Sequence, residues 1–244
     1  EETTLEFARI TQFMGDAYLR LQMFAMAERT YATALELPGL QGETLNLANA
    51  ALGQAEAALA QGRLEAGQKG LLEALKHYRA AGNQFWIGYT SALSKGVLGD
   101  TSEAFQLAGS FRISGQRFWL ARILGLLAEA QPDEGLISEW EQLITENGFM
   151  DQAWKPWAIR RKAGLGNPVE NARKMIAAIV EHRAGLSSVV ARLHLLEGRM
   201  EAVQLAMQER LQEDTDEARA EVIKWVAQLR SATLLDEIVL SARG

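Results

Sequence analysis

Ala27, Tyr31, Ala34 and Leu35 fall on a single stripe of a helix running from Met23 to Leu37, and Pro38-Gly39 stops that helix at once. Segments of this kind fill the chain. Ala, Leu, Glu, Gln and Arg occupy stretches of about 10 to 18 residues, each broken by Gly, Pro, Asn or Asp. Alternating runs of Val, Ile, Thr and aromatics do not occur, and no Asn-Gly or Asp-Gly turn sits between apolar runs. A chain so written cannot build a sheet. The fold class expected is all-α.

The breaks recur. Gly15, Tyr18, Ala27, Tyr31 and Ala34 carry the spacing of small and aromatic residues found in the 34-residue tetratricopeptide motif, with Pro38 one place early. A second set, Ala55, Ala58, Gly62, Leu64, Leu71, Ala74 and Leu75, follows after a longer link at Leu40 to Thr44. Residues 8–75 therefore resemble the tetratricopeptide repeat family. Beyond them the match is one of spacing, with Ala104 and Ala172 at a signature alanine position. The approximate repeats are 8–41, 48–81, 85–114, 118–148, 153–185 and 186–213, the last around Gly198 to Met207, with 217–243 as capping helices. The resemblance implies a right-handed α-solenoid of about six stacked antiparallel helix pairs, with 1–244 as a single domain. Ala27, Ala34 and Ala74 are expected at helix crossings, where axes about 8 to 10 Å apart need small residues.

Charge narrows the function. With 25 basic and 31 acidic side chains the net charge is −6, the wrong sign for a protein that lives on phosphate backbones. The segment Leu143-Ile144-Thr145-Glu146-Asn147-Gly148-Phe149 has some flavour of the RNA-reading pentatricopeptide repeats, but those arrays are normally basic. The chain has no cysteine, which excludes a disulfide scaffold, a thiolate metal site and a cysteine nucleophile. No stretch reaches the roughly 18 to 20 apolar residues of a membrane span. The first residue is Glu1 rather than Met, so a fragment or a processed form is expected. The compartment, cytoplasmic or periplasmic, stays open.

Enzymatic signatures fail one by one. His77, His182 and His194 lack the paired spacing of a helical zinc site. Gly164-Leu165-Gly166-Asn167-Pro168 reads as a helix-ending turn, and Asp100-Thr101-Ser102 as an inter-helix turn that caps the next helix. No catalytic residue, metal or cofactor is expected. The family's chaperone-tail binders use Lys and Asn on the inner helices, whereas the corresponding residues here are Gln12, Asp16 and Gly53.

Tryptophan is the unusual feature. Trp86, Trp119 and Trp154 are separated by 33 and 35 residues, so they recur with the repeat. Two readings stand: structural rings packed against the neighbouring repeat, or an aromatic row on the groove face. The alignment of Trp86 with Trp154, and of Tyr89 with Trp157, at the family's concave-facing positions implies the row. Arg122 and Arg161 accompany it, and aromatic plus arginine is what interface anchors are made of. Nearby Arg160, Arg161 and Lys162 form a local basic cluster. The expected partner-binding residues are Trp86, Tyr89, Arg122, Trp157 and Arg161, and the expected partner is a protein or peptide. The expected role is a scaffold or adaptor. A ligand- or peptide-sensing segment of a larger regulator is the alternative, and an α/α enzyme a further one.

Overall fold

The computed structural model of the chain describes the backbone of residues 2–186, 192, 195–196 and 199–241, with the side chains of all of these except 2, 3 and 230–241. The expectations placed on His194, Gly198 and Arg243 lie outside the described residues. Twelve α-helices and one short 3-10 helix form among the described residues, with no strand. Contacts gather into two compact units, Glu1–Ala130 and Gln131–Gly244.

The first unit holds α1 (Glu2–Arg20), α2 (Phe24–Glu36), a 3-10 turn (Pro38–Leu40), α3 (Thr44–Ala60), α4 (Leu64–Ala80), α5 (Gln84–Val97), α6 (Ser102–Ser114) and α7 (Arg117–Ala130). Each helix packs on the next, and α1 also meets α3 and α5 meets α7. Short links force consecutive helices antiparallel, so the unit is a stack of helix hairpins. One turn repeats through it. After α3, Gly62 adopts a φ of 74° and the Arg63 N–H donates back to the Ala58 carbonyl. That closure satisfies a carbonyl the helix end would leave open, and it needs a residue with positive φ. Gln22 takes the same place between α1 and α2 at a φ of 60°, where the Met23 N–H returns to the Tyr18 carbonyl.

Small residues set the helix spacing as the sequence implies. Ala27, Ala34 and Ala74 are fully buried. The α3 helix buries Ala48, Ala50, Ala51, Ala55, Ala57 and Ala58, which lets α2 and α4 flank it closely.

The second unit holds α8 (Glu134–Asn147), α9 (Lys155–Lys162), α10 (Pro168–Gly185), α11 (Met200–Leu211) and α12 (Asp216–Ser241). Its core gathers Met175, Ile176 and Ile179 of α10 with Val203 and Ala206 of α11 and Trp225 of α12. The Gly164-to-Pro168 segment is a turn, as read from sequence: Gly164 and Gly166 both have a φ of 69°, and the Asn167 side chain accepts from the Glu170 N–H to cap α10. No described helix is long and apolar enough to cross a membrane.

Candidate functional site

In the first unit the odd-numbered helices carry a polar row. Asp16 on α1 accepts a hydrogen bond from the Tyr31 hydroxyl at 2.5 Å, and Asn49 on α3 accepts one from Tyr78 at 2.7 Å. Glu56, also on α3, accepts from the Tyr89 hydroxyl at 3.3 Å and from Arg122 Nη2 of α7 at 2.5 Å. Arg122 Nε donates to the Tyr89 oxygen at 2.7 Å. One carboxylate therefore fastens α3, α5 and α7 together.

Local sequence explains why these groups meet. Glu56 is the lone charged residue of α3, whose neighbouring alanines are buried and draw α5 and α7 within a side chain's reach. Burial alone would lower the Arg122 guanidinium, but Glu56 and Tyr89 outweigh it and hold the charge on. The Tyr31, Tyr78 and Tyr89 phenols are all pushed up, first by burial. The hydrogen bond to Asp16 adds to the rise at Tyr31 and the Glu56 charge at Tyr78, while Arg122 opposes it at Tyr89. They remain protonated donors at neutral pH. Burial also raises the Asp16 carboxyl, against the Tyr31 hydrogen bond that lowers it, and the Glu56 charge adds to the rise.

Beside the row lies an aromatic cluster built from the first turns of α5 and α7. Trp86 and Trp119 meet edge to face with ring centres 4.9 Å apart, Tyr89 lies 5.1 Å from Trp119, and Phe85 lies 5.5 Å from it. Tyr78 stacks on Trp86 with planes 9° apart. Aromatic pairs of this kind contribute about 0.5 to 1.5 kcal/mol each beyond their buried area. Trp86 and Trp119 are half-buried, whereas Tyr89 is 1% exposed. Tyr89 positions Arg122 and has no surface of its own.

The second unit places the other two expected residues differently. The Trp157 ring, half-buried against the α10–α12 core, carries the Arg160 guanidinium at 4.6 Å and the Lys174 ammonium at 4.5 Å. Arg161 donates from Nε to Glu209 on α11 at 2.6 Å, and its side chain is 7% exposed. Arg160 is buried and binds Glu134, Glu141 and Ser138 of α8. Two of the three members of the sequence's basic cluster are thus committed to carboxylates. Trp157, and not Trp154, is the third residue of its helix, as Trp86 and Trp119 are of theirs. The turn before α9 runs through Trp154 and shifts the register by three residues, which a fixed repeat spacing does not anticipate.

Trp154 instead supports a buried guanidinium. Arg199 is 0% exposed, lies 5.4 Å over the Trp154 ring, and donates from Nη1 to the Leu195 carbonyl at 2.8 Å. Its Nη2 lies 3.4 Å from His182 Nδ1. Burial lowers Arg199 to about 10, and burial together with the Arg199 charge lowers His182. A cavity of about 300 Å³ opens between the start of α10 and the end of α11, with Val169, Ala172, Ala206, Glu209 and Arg210 in its wall. Its charged members are already engaged, Glu209 by Arg161 and Arg210 by Glu221 at 2.7 Å.

Among the described residues no group of three or more His, Asp or Glu side chains is placed to hold a metal ion. Asp100 accepts from both the Ser102 N–H and hydroxyl, as a capping turn does. Glu56 and Asn49 escape a reading by motif, because neither belongs to a repeat signature; the single charge in an alanine-rich helix is the one signal that marks Glu56. No protein-family model and no curated protein sequence matches the chain.

Proposed function

We propose that the chain is a tetratricopeptide-like recognition module that holds a peptide or helix of a protein partner on the face built by α1, α3, α5 and α7. One observation carries the reading: the half-buried Trp86 and Trp119 stand beside an Arg122 fixed in place by Glu56 and Tyr89. Large rings held rigid by their neighbours lose little entropy on contact and bury much area, which is the composition of an interface hot spot. Fixed donors and acceptors along Asp16, Asn49 and Glu56 suit a partner's backbone and polar side chains. The role is binding, since the phenols are held protonated and the Glu56 carboxylate is tied to a guanidinium.

The test begins with capture of partners from the native cell extract and proceeds to titration of the purified partner. Trp119→Ala is expected to weaken binding about 30-fold with helicity intact, as truncation of an anchor does. Undiminished binding by both Trp86→Ala and Trp119→Ala removes this face as the site.

A further inference from the structure

Helix α1 faces its own unit with its smaller side. Ala8, Thr11, Gln12 and Gly15 point inward and are buried. The opposite side presents Phe7, Ile10, Phe13 and Met14 at 57%, 56%, 66% and 48% exposure. Among the other described residues no helix carries four exposed large apolar side chains; α11 has Met200, Leu205 and Leu211, spread over about three turns. Four within two turns amount to on the order of 400 Å² of contiguous apolar surface, at the level where a monomer's patch marks an interaction site.

We propose that this face of α1 pairs with α1 of a second copy in an antiparallel, two-fold dimer. Spacing fixes the register. Phe7, Ile10 and Met14 form one stripe at i, i+3 and i+7, and antiparallel pairing centred between Ile10 and Thr11 sets Phe7 against Met14 of the second copy. Charge selects the direction. Glu6 and Arg20 flank the stripe on the same side, both are exposed, and neither forms an ion pair among the described residues. Helical side chains lean toward the N-terminus, so each head group lies about a turn before its own Cα. With Phe7 level with Met14 of the second copy, Glu6 and Arg20 of that copy lie about 7.5 Å apart along the axis, and their side chains lean toward each other across that offset. Two such pairs form by symmetry, and the helix dipoles oppose. Parallel pairing would put these residues of the two copies on opposite edges of the seam, where neither charge meets its counterpart. The apolar patches and their charged rims together bury on the order of 1,000 Å², the lower end for a specific contact, which suits a micromolar dissociation constant.

Sedimentation equilibrium of the 244-residue chain between about 1 and 100 µM tests the pairing over the range such an affinity spans. A monomer–dimer equilibrium is expected, weakened tenfold or more by Ile10→Asp with an unchanged far-ultraviolet circular dichroism spectrum. Glu6→Arg and Arg20→Glu are each expected to weaken it, and the double variant E6R/R20E to restore it. Restoration is specific to the antiparallel arrangement, because a parallel pair leaves the two positions on opposite edges of the seam, and it needs no change in the apolar stripe. A chain monomeric at every concentration overturns the proposal and gives the face to another occupant. So does a dimer indifferent to Ile10→Asp, or one that the double variant fails to restore.

Discussion

Arg122 Nη2 donates to Glu56 Oε1 at 2.5 Å across 66 residues of sequence, joining α7 to α3 past the intervening α5. The pair is partly screened, with the Arg122 side chain 32% exposed and Glu56 15% exposed. Its worth lies in what each partner would be left without. Arg122→Met keeps the aliphatic stem but strands the carboxylate, and is expected to cost about 1 to 2 kcal/mol in urea unfolding. Adding Glu56→Gln is expected to recover part of that loss, since the stranded charge is gone. An additive double variant would mean the two residues do not act as a pair.

Tyr31 leaves no room at Gly53. A methyl group built there would lie 2.2 Å from the ring carbon that carries the hydroxyl, and one at Gly15 would lie 2.8 Å from the same ring. The ring is thus gripped between α1 and α3. Gly53→Ala is expected to cost about 1 to 3 kcal/mol by overpacking. Combining it with Tyr31→Leu, which removes the clashing end of the ring, is expected to cost less than the sum of the two single changes. Equal midpoints for Gly53→Ala and the parent chain in denaturant titration would contradict this packing.

The His182 imidazole is held below its ordinary value of 6.5 by burial and then by Arg199. The unfolded chain takes up a proton at 6.5 that the folded one resists. Stability is therefore full above pH 6.5 and falls as pH drops through that value toward the folded one. The slope for one proton is at most about 1.4 kcal/mol per pH unit. Urea unfolding of the parent and of His182→Gln between pH 5 and 7.5 checks this, with the variant's slope expected to be shallower.

Asp16 moves the other way. Its carboxyl is raised by burial, so the charged form opposes folding at neutral pH and the opposition is relieved as pH falls through the folded value toward 3.8. Asp16→Asn retains an acceptor for the Tyr31 hydroxyl and removes the charge near Glu56. Thermal unfolding at pH 7 is expected to show the variant as stable as the parent or up to about 1 kcal/mol more stable. A clear loss would mean the carboxylate charge itself supports the row.

Much of this molecule is local and was legible as such. Helix ends at Pro38-Gly39, Gly62 and Gly164 follow from backbone preferences of a few adjacent residues, and burial of Ala27, Ala34 and Ala74 follows from helical period and side-chain size. Those properties are written within a single turn or hairpin, so the sequence by itself determined an all-α chain of paired helices. Tertiary structure alone decided which charges meet. Arg160 and Arg161 are neighbours of one type, yet Arg160 is drawn to Glu134 and Glu141 on α8 and Arg161 to Glu209 on α11, because adjacent helical residues point about 100° apart. Tyr89 and Arg122 likewise owe their roles to Glu56, from which they stand 33 and 66 residues away. No local rule joins residues so distant; packing of α3, α5 and α7 brings them within bonding reach, and burial then requires that their polar groups be paired.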